Sequence, residues 1–162
     1  MVIDHLGVVV RCLEDGIRQW EEMFGYTRRS SIVTNTRQMV RVVFLTKQGS
    51  ITIKLLEPSA PDSPVSAYAR RGGGLHHICF RCAELTEGLA ELKAKGARLI
   101  VPPQPGEAFR NRDIAFVLAE NNLNIEVIDT AEKEGWTTGE AGSWCDPDQE
   151  LMEACSISKG ES

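Results

Sequence analysis

Ile3-Asp4-His5-Leu6-Gly7-Val8-Val9-Val10 and Leu75-His76-His77-Ile78-Cys79-Phe80 are two short apolar stretches, each entered through a histidine, seventy-two residues apart. The same shift carries Gly16-Ile17 onto Gly88-Leu89 and Val42-Val43-Phe44-Leu45 onto Ile114-Ala115-Phe116-Val117. It also carries Ile51-Thr52-Ile53-Lys54-Leu55-Leu56 onto Leu123-Asn124-Ile125-Glu126-Val127-Ile128. One register kept over four separate segments reads as one structural unit written twice.

Each copy reads as strand, helix and three further strands. In the first, Ile17, Trp20 and Phe24 recur at helical spacing from Leu13 to Phe24, and Gly25 stops the helix. In the second, Leu85, Leu89 and Leu92 form the stripe and Gly96 closes it. Strands are expected near residues 28–33, 40–46 and 50–57, and again near 98–101, 113–118 and 122–129. The prolines of Pro58-Ser59-Ala60-Pro61-Asp62-Ser63-Pro64 exclude a regular ladder, and a helical turn at 65–70 and Gly72-Gly73-Gly74 complete a connector. The expected fold class is therefore α+β, with two tandem βαβββ modules (residues 1–57 and 75–129) forming one cupped mixed sheet. The connector is 58–74, and an acidic C-terminal extension occupies 130–162.

Bulk properties narrow the function classes. At 162 residues the chain can bury one full core or two small fused ones. Its formal charge of −5 is uneven: from Ala131 onward it is −6 and the rest sums to +1, so no basic face suggests nucleic acid. No charged leader with an apolar core and no run of ~20 apolar residues is present, which points to a cytoplasmic protein off the membrane. Cys79 and Cys82 stand three apart on a strand, face opposite sides, and make a poor metal clip. In the extension, Asp146-Pro147-Asp148-Gln149 reads as a helix start running to Cys155, and Trp136 and Trp144 are expected to pack on the body or on a partner chain.

Strand alternation selects the chemistry. His5, Gly7 and Val9 share one face, opposite the apolar Leu6, Val8 and Val10 that belong against a helix; His77 and Cys79 likewise oppose Ile78 and Phe80. By the same parity Lys54 and Glu126 join the histidine face, while His76 is expected to point away. Two imidazoles and a carboxylate converging on a concave face make a 2-His-1-carboxylate set, His5, His77 and Glu126, able to hold a divalent first-row metal.

Asp4-His5-Leu6-Gly7, Ile53-Lys54-Leu55-Leu56-Glu57-Pro58, Asp62-Ser63-Pro64, Gly74-Leu75-His76-His77-Ile78 and Ile125-Glu126-Val127 resemble the vicinal oxygen chelate (glyoxalase) superfamily, and within it most the methylmalonyl-CoA epimerases. The resemblance covers about residues 3–129. It implies metal ligands at His5, His77 and Glu126, with a Gln or Glu at the position of Lys54. Two departures stand out. A lysine is cationic where the family has a ligand, and Glu is missing throughout 30–47, where the epimerases carry a catalytic Glu near Arg37-Gln38-Met39.

Three readings follow from this resemblance. In the leading one, His5, His77 and Glu126 hold a divalent ion (zinc, cobalt, manganese, nickel or iron). Lys54 and Glu126 carry the chemistry, with Lys54 transferring a proton as an acidic small molecule or acyl thioester enolises. This is an isomerase or lyase reaction. In the second, the same triad holds ferrous iron for a dioxygenase, although no acid-base partner is obvious: the only other histidine is His76 and the tyrosines are Tyr26 and Tyr68. In the third, no metal binds, Lys54 reaches Glu126 across the pseudo-two-fold axis, and the cleft is a small-molecule binding pocket. Arg37, Arg41, Arg110 and Arg112 are candidates to clamp a carboxylate or phosphate of the substrate. A homodimer is expected.

Overall fold

A computed structural model describes residues 1–137. In chain order the elements are β1 (Val2–Val9), α1 (Leu13–Phe24), β2 (Thr27–Arg28), β3 (Val33–Asn35), β4 (Val40–Thr46), β5 (Thr52–Pro58), α2 (Ser66–Arg70), β6 (Gly74–Arg81), α3 (Leu85–Ala94), β7 (Arg98–Gly106), β8 (Arg112–Leu118) and β9 (Asn124–Ile128). The strands form one curved mixed sheet in the order β2-β4-β5-β1-β6-β9-β8-β7, with β3 also paired to β4. The expected α+β class and cupped mixed sheet are what the chain adopts.

The centre of the sheet explains why the repeat matters. β1 and β6 pair antiparallel, and each pairs parallel with the last strand of its own half, β5 or β9. Lys54, Gly7 and His77 therefore lie in one row across β5, β1 and β6, and Glu126, Cys79 and His5 in another across β9, β6 and β1. A shift of seventy-two converts the first row into the second.

The convex face carries the helices. Leu13, Tyr26, Val43, Leu45, Ile53 and Leu55 pack under α1 with Ile17 and Trp20, and Leu85, Ala115, Val117, Ile125 and Val127 pack under α3 with Leu89 and Leu92. Burial of each such aliphatic side chain stabilises the fold by about 1.5–3 kcal/mol. Phe24, expected in the α1 stripe, is 43% exposed and only rests on Trp20. Cys12 makes no side-chain cap at the start of α1; Glu57 accepts the Leu13 N–H at 2.6 Å instead, tying the helix to β5. At its other end Gly25 takes φ +68°, the left-handed conformation glycine adopts without a steric penalty.

Two expected strands differ. The single strand near 28–33 is split into β2 and β3, because the four residues 29–32 stand opposite only Val43 and Phe44 of β4. There Ser30 Oγ accepts the Phe44 N–H at 2.9 Å, and Ser30 bridges to Trp136 of the C-terminal segment. β7 runs on through Pro102, Pro103 and Pro105 to Gly106, with register shifts at Ile100 and at Pro102-Pro103. An edge strand tolerates this, since it needs few ladder donors. Cys79 packs on the concave face and Cys82 beneath α3, on opposite sides as expected. Among the described residues no helix is long and apolar enough to cross a membrane. The helix expected from Asp146 and the placement of Trp144 lie outside the described residues.

Candidate functional site

On the concave face His5, Lys54, His77 and Glu126 meet, each no more than 1% exposed. His5 Nε2 lies 2.9 Å and His77 Nε2 3.3 Å from Glu126 Oε2. Lys54 Nζ donates to both Glu126 oxygens, at 2.9 and 3.0 Å. Their rings and chains sit among Val9, Val42, Phe44, Leu56, Phe109 and Ile128. Every member of the expected catalytic and metal sets is thus brought to one point.

Local irregularities aim the two imidazoles. The β1–β6 ladder is bulged at Asp4 and again at His76, so the residue before each site histidine is left unpaired. Asp4 Oδ1 accepts from His5 Nδ1 at 2.8 Å, which leaves Nε2 facing Glu126. His76, expected to point away, is re-aimed by its bulge, and its Nδ1 lies 2.9 Å from His77 Nδ1. The His77 ring rests on Gly7: a Cβ there would come within 2.1–2.5 Å of three of its ring atoms. Only glycine leaves room for it.

A second ion pair backs the first. Lys133 Nζ, 8% exposed and contributed by the C-terminal segment, lies 2.9 Å from Asp4 Oδ1 and 3.1 Å from Oδ2. That segment docks through Thr137 N–H to Arg29 O (2.8 Å), Ser31 N–H to Gly135 O (2.9 Å) and Glu134 N–H to Ala108 O (2.9 Å). It brings Trp136 onto Phe44, the packing on the body expected of this tryptophan. From the other side Asn35, fully buried on β3, accepts the Ala108 N–H at 2.9 Å and fixes the turn that presents Phe109.

Electrostatics follow from this packing. Burial pushes the Glu126 carboxyl up, but Lys54 and the two imidazoles outweigh it and hold it well below the usual carboxylate range. Asp4 is lowered in the same way, burial being overcome by His5 and Lys133. Burial pushes His77 down to about 4 against the pull of Glu126, so its imidazole is neutral at pH 7. Burial together with Glu126 drives the Cys79 thiol well up, so without a metal it stays protonated.

His5, His77 and Glu126 have ligand atoms within 4.8 Å of one another, and the two Nε2 atoms lack a partner in hydrogen-bond geometry. Three corners of a metal site are therefore present. The fourth is not, because the Lys54 ammonium fills it and occupies both Glu126 oxygens. A divalent ion placed there would be repelled by Lys54 about as strongly as Glu126 attracted it, leaving no Coulomb gain to offset its dehydration. The donor set does not fit a divalent ion beside a charged Lys54, and the ferrous arrangement meets the same obstacle.

The four arginines do not converge on this point. Arg41 alternates with Val40 and Val42, so it leaves by the helix side, where it pairs with Glu57 (3.1 Å) and Glu14 (3.3 Å). Arg112 pairs with Asp129 at 3.0 Å, Arg110 lies 3.6 Å from Glu132, and Arg37 is exposed near Glu107. Sequence reasoning missed Gly7, Asp4 and Lys133. The first two could have been found from the repeat, since Gly7 answers to Cys79 and Asp4 to His76; Lys133 lies beyond the repeat and has no counterpart.

Comparison with known proteins places these features in a family. The Glyoxalase/Bleomycin resistance protein/Dioxygenase superfamily matches residues 4–116. The uncharacterised Bacillus subtilis protein YqjC is 31% identical over 82% of this chain and 93% of its own length. A single-substitution variant of Streptomyces coelicolor methylmalonyl-CoA epimerase, solved in complex with 2-nitronate-propionyl-CoA, superposes with a TM-score of 0.69 at 27% identity, covering 83% of this chain and 97% of that one. A methylmalonyl-CoA epimerase in complex with methylmalonyl-CoA and NH4+ superposes with a TM-score of 0.67 at 27% identity, over 82% and 96% of the two chains.

Proposed function

Because the chain belongs to the Glyoxalase/Bleomycin resistance protein/Dioxygenase superfamily, we propose that it is an epimerase-like enzyme that enolises an acidic acyl thioester, with Lys54 and Glu126 carrying the chemistry. The observation behind this reading is the buried Lys54–Glu126 contact, at 2.9 and 3.0 Å, beside two imidazoles on the concave face. Similarity to epimerases solved with acyl-CoA ligands supports the substrate class.

Enolisation breaks a C–H bond next to the thioester carbonyl and moves its electron pair onto the carbonyl oxygen. A fixed positive charge at that oxygen lowers the barrier most where water is excluded. Lys54 Nζ supplies it. As the ammonium turns to the carbonyl it leaves Glu126, whose freed carboxylate accepts the α-proton and returns it to the same carbon, with inversion when the planar enolate turns over between the two transfers. Asp4 holds the His5 ring, and Gly7 seats the His77 ring, on either side of that carboxylate.

A metal-free binding protein is the second reading. It is favoured by the Lys54–Glu126 ion pair, which occupies both carboxylate oxygens and leaves no free carboxylate base among the four buried groups.

Deuterium uptake at the α-carbon of methylmalonyl-CoA, followed by mass spectrometry in D2O, separates the two. Uptake catalysed by the wild type and lost in Lys54→Gln is expected. If neither methylmalonyl-CoA nor ethylmalonyl-CoA exchanges above the uncatalysed rate while still binding, the chain is a binding protein.

A further inference from the structure

The mismatch between this site and a divalent ion extends beyond Lys54. Two carboxylates, Glu126 and Asp4, flank the His5 imidazole on its Nε2 and Nδ1 sides, and each already holds an ammonium. Lys54 Nζ sits on Glu126, and Lys133 Nζ sits on Asp4. The same two rings serve both cations: Lys54 Nζ is 4.7 Å from the Phe109 centroid and 5.9 Å from that of Phe44, and Lys133 Nζ is 5.9 and 5.5 Å from them. Aromatic faces at that range favour cations that have been taken out of water.

The geometry points to a built-in replacement for the metal. Lys54 and Lys133 together supply the two positive charges that a divalent ion would bring, and the chain works without one. The cation is covalently attached, and its charge is neutralised by Glu126 and Asp4. Lys133 comes from outside the duplicated halves, so the second charge arrives only when the segment carrying Gly135 and Trp136 docks against Arg29, Ser30 and Ser31.

This inference rests on the enolising reading for its purpose and on the ion pairs for its content, and one set of measurements tests both. Cobalt(II) is titrated into metal-depleted protein, with visible absorbance and thermal melting as readouts. Wild-type protein is expected to show no stoichiometric uptake and no rise in melting temperature. Lys54→Glu, which supplies the missing acidic ligand and removes the ammonium, should bind one cobalt at least ~100-fold more tightly, the gain expected when a repelling charge becomes an attracting one, and melt higher with it. Adding His77→Ala should abolish that gain. If Lys54→Glu does not fold, Lys54→Gln serves the same purpose with a neutral ligand. Stoichiometric cobalt in the wild type that His77→Ala removes would overturn the inference. So would a folded Lys54 variant that gains no affinity, or α-proton exchange that a chelator abolishes. Failure of every thioester to exchange, with cobalt still rejected, defeats the enolising reading alone.

Discussion

Asp4 and His76 hold the same place in the two halves of the sheet. Each is the bulged residue one step before a site histidine, and each sets its side chain on that histidine's Nδ1, at 2.8 and 2.9 Å. The relationship is geometric and not chemical, since one partner is a carboxylate and the other an imidazole. What the duplication preserved is the bulge and its aim; what diverged is the charge.

That divergence gives the two positions different weights. Asp4→Ala strands Lys133 in a buried site without its carboxylate and is expected to destabilise the protein by about 3–5 kcal/mol in urea. His76→Ala removes one neutral hydrogen bond and should cost about 1 kcal/mol. Equal losses in the two variants would show that the Asp4–Lys133 pair contributes no more than an ordinary hydrogen bond.

Gly7→Ala tests how tightly the site is built. The added methyl falls on the His77 ring, so the imidazole must leave its place over β1. We expect a stability loss of about 1–3 kcal/mol from overpacking, with a displaced His77 resonance in a histidine-labelled NMR spectrum. Gly16→Ala is the control: its Cβ would meet only Val10 and Leu55 side-chain carbons at 3.0–3.3 Å, far from the site, and the His77 resonance should stay put.

Acid should unfold this protein from an unusually high pH. The folded His77 titrates at about 4 and its unfolded counterpart near 6.5, so between those values the unfolded state binds the extra proton and stability falls as pH falls. The full effect is about 3 kcal/mol at the standard conversion of pKa difference to free energy. His76, lowered chiefly by burial, acts in the same direction. Glu126 and Asp4, both depressed, hold their contribution above the unfolded carboxylate range and lose it below. Urea midpoints measured from pH 7 down to 4 should fall steadily in the wild type and less steeply in His77→Gln. A flat profile would place His77 in water in the folded protein.

The repeat makes most of this site legible in the amino-acid sequence. Strand parity alone places His5, Lys54, His77 and Glu126 on one face, because period-two alternation leaves no choice once the helix-facing residues are known. Parity fails at His76, where one extra residue in the ladder rotates the side chain and no local sequence signal announces it. Nor can it supply Lys133, Phe109 and Trp136, which reach the centre through turns and edge pairing. The arginines sit away from the four-residue centre for a related reason. Their charge is visible, but the carboxylates Glu57, Glu14 and Asp129 that engage them are brought close only by folding.

Trp136 decides how the centre is covered. It is half-buried, packs on Phe44 at 6.1 Å, lies under the Arg29 guanidinium at 6.0 Å and sits 5.7 Å from Lys133 Nζ. Three backbone hydrogen bonds, to Arg29, Ser31 and Ala108, also hold residues 133–137. If the indole is the anchor, Trp136→Ala frees the segment and withdraws Lys133 from Asp4. Hydrogen exchange at the Ser31, Glu134 and Thr137 amides should then accelerate far more than in β4 or β5, and stability should drop by about 1–3 kcal/mol, less than a fully buried tryptophan would cost. Unchanged protection at those three amides would mean that the backbone bonds and the Lys133–Asp4 pair hold the segment without the ring.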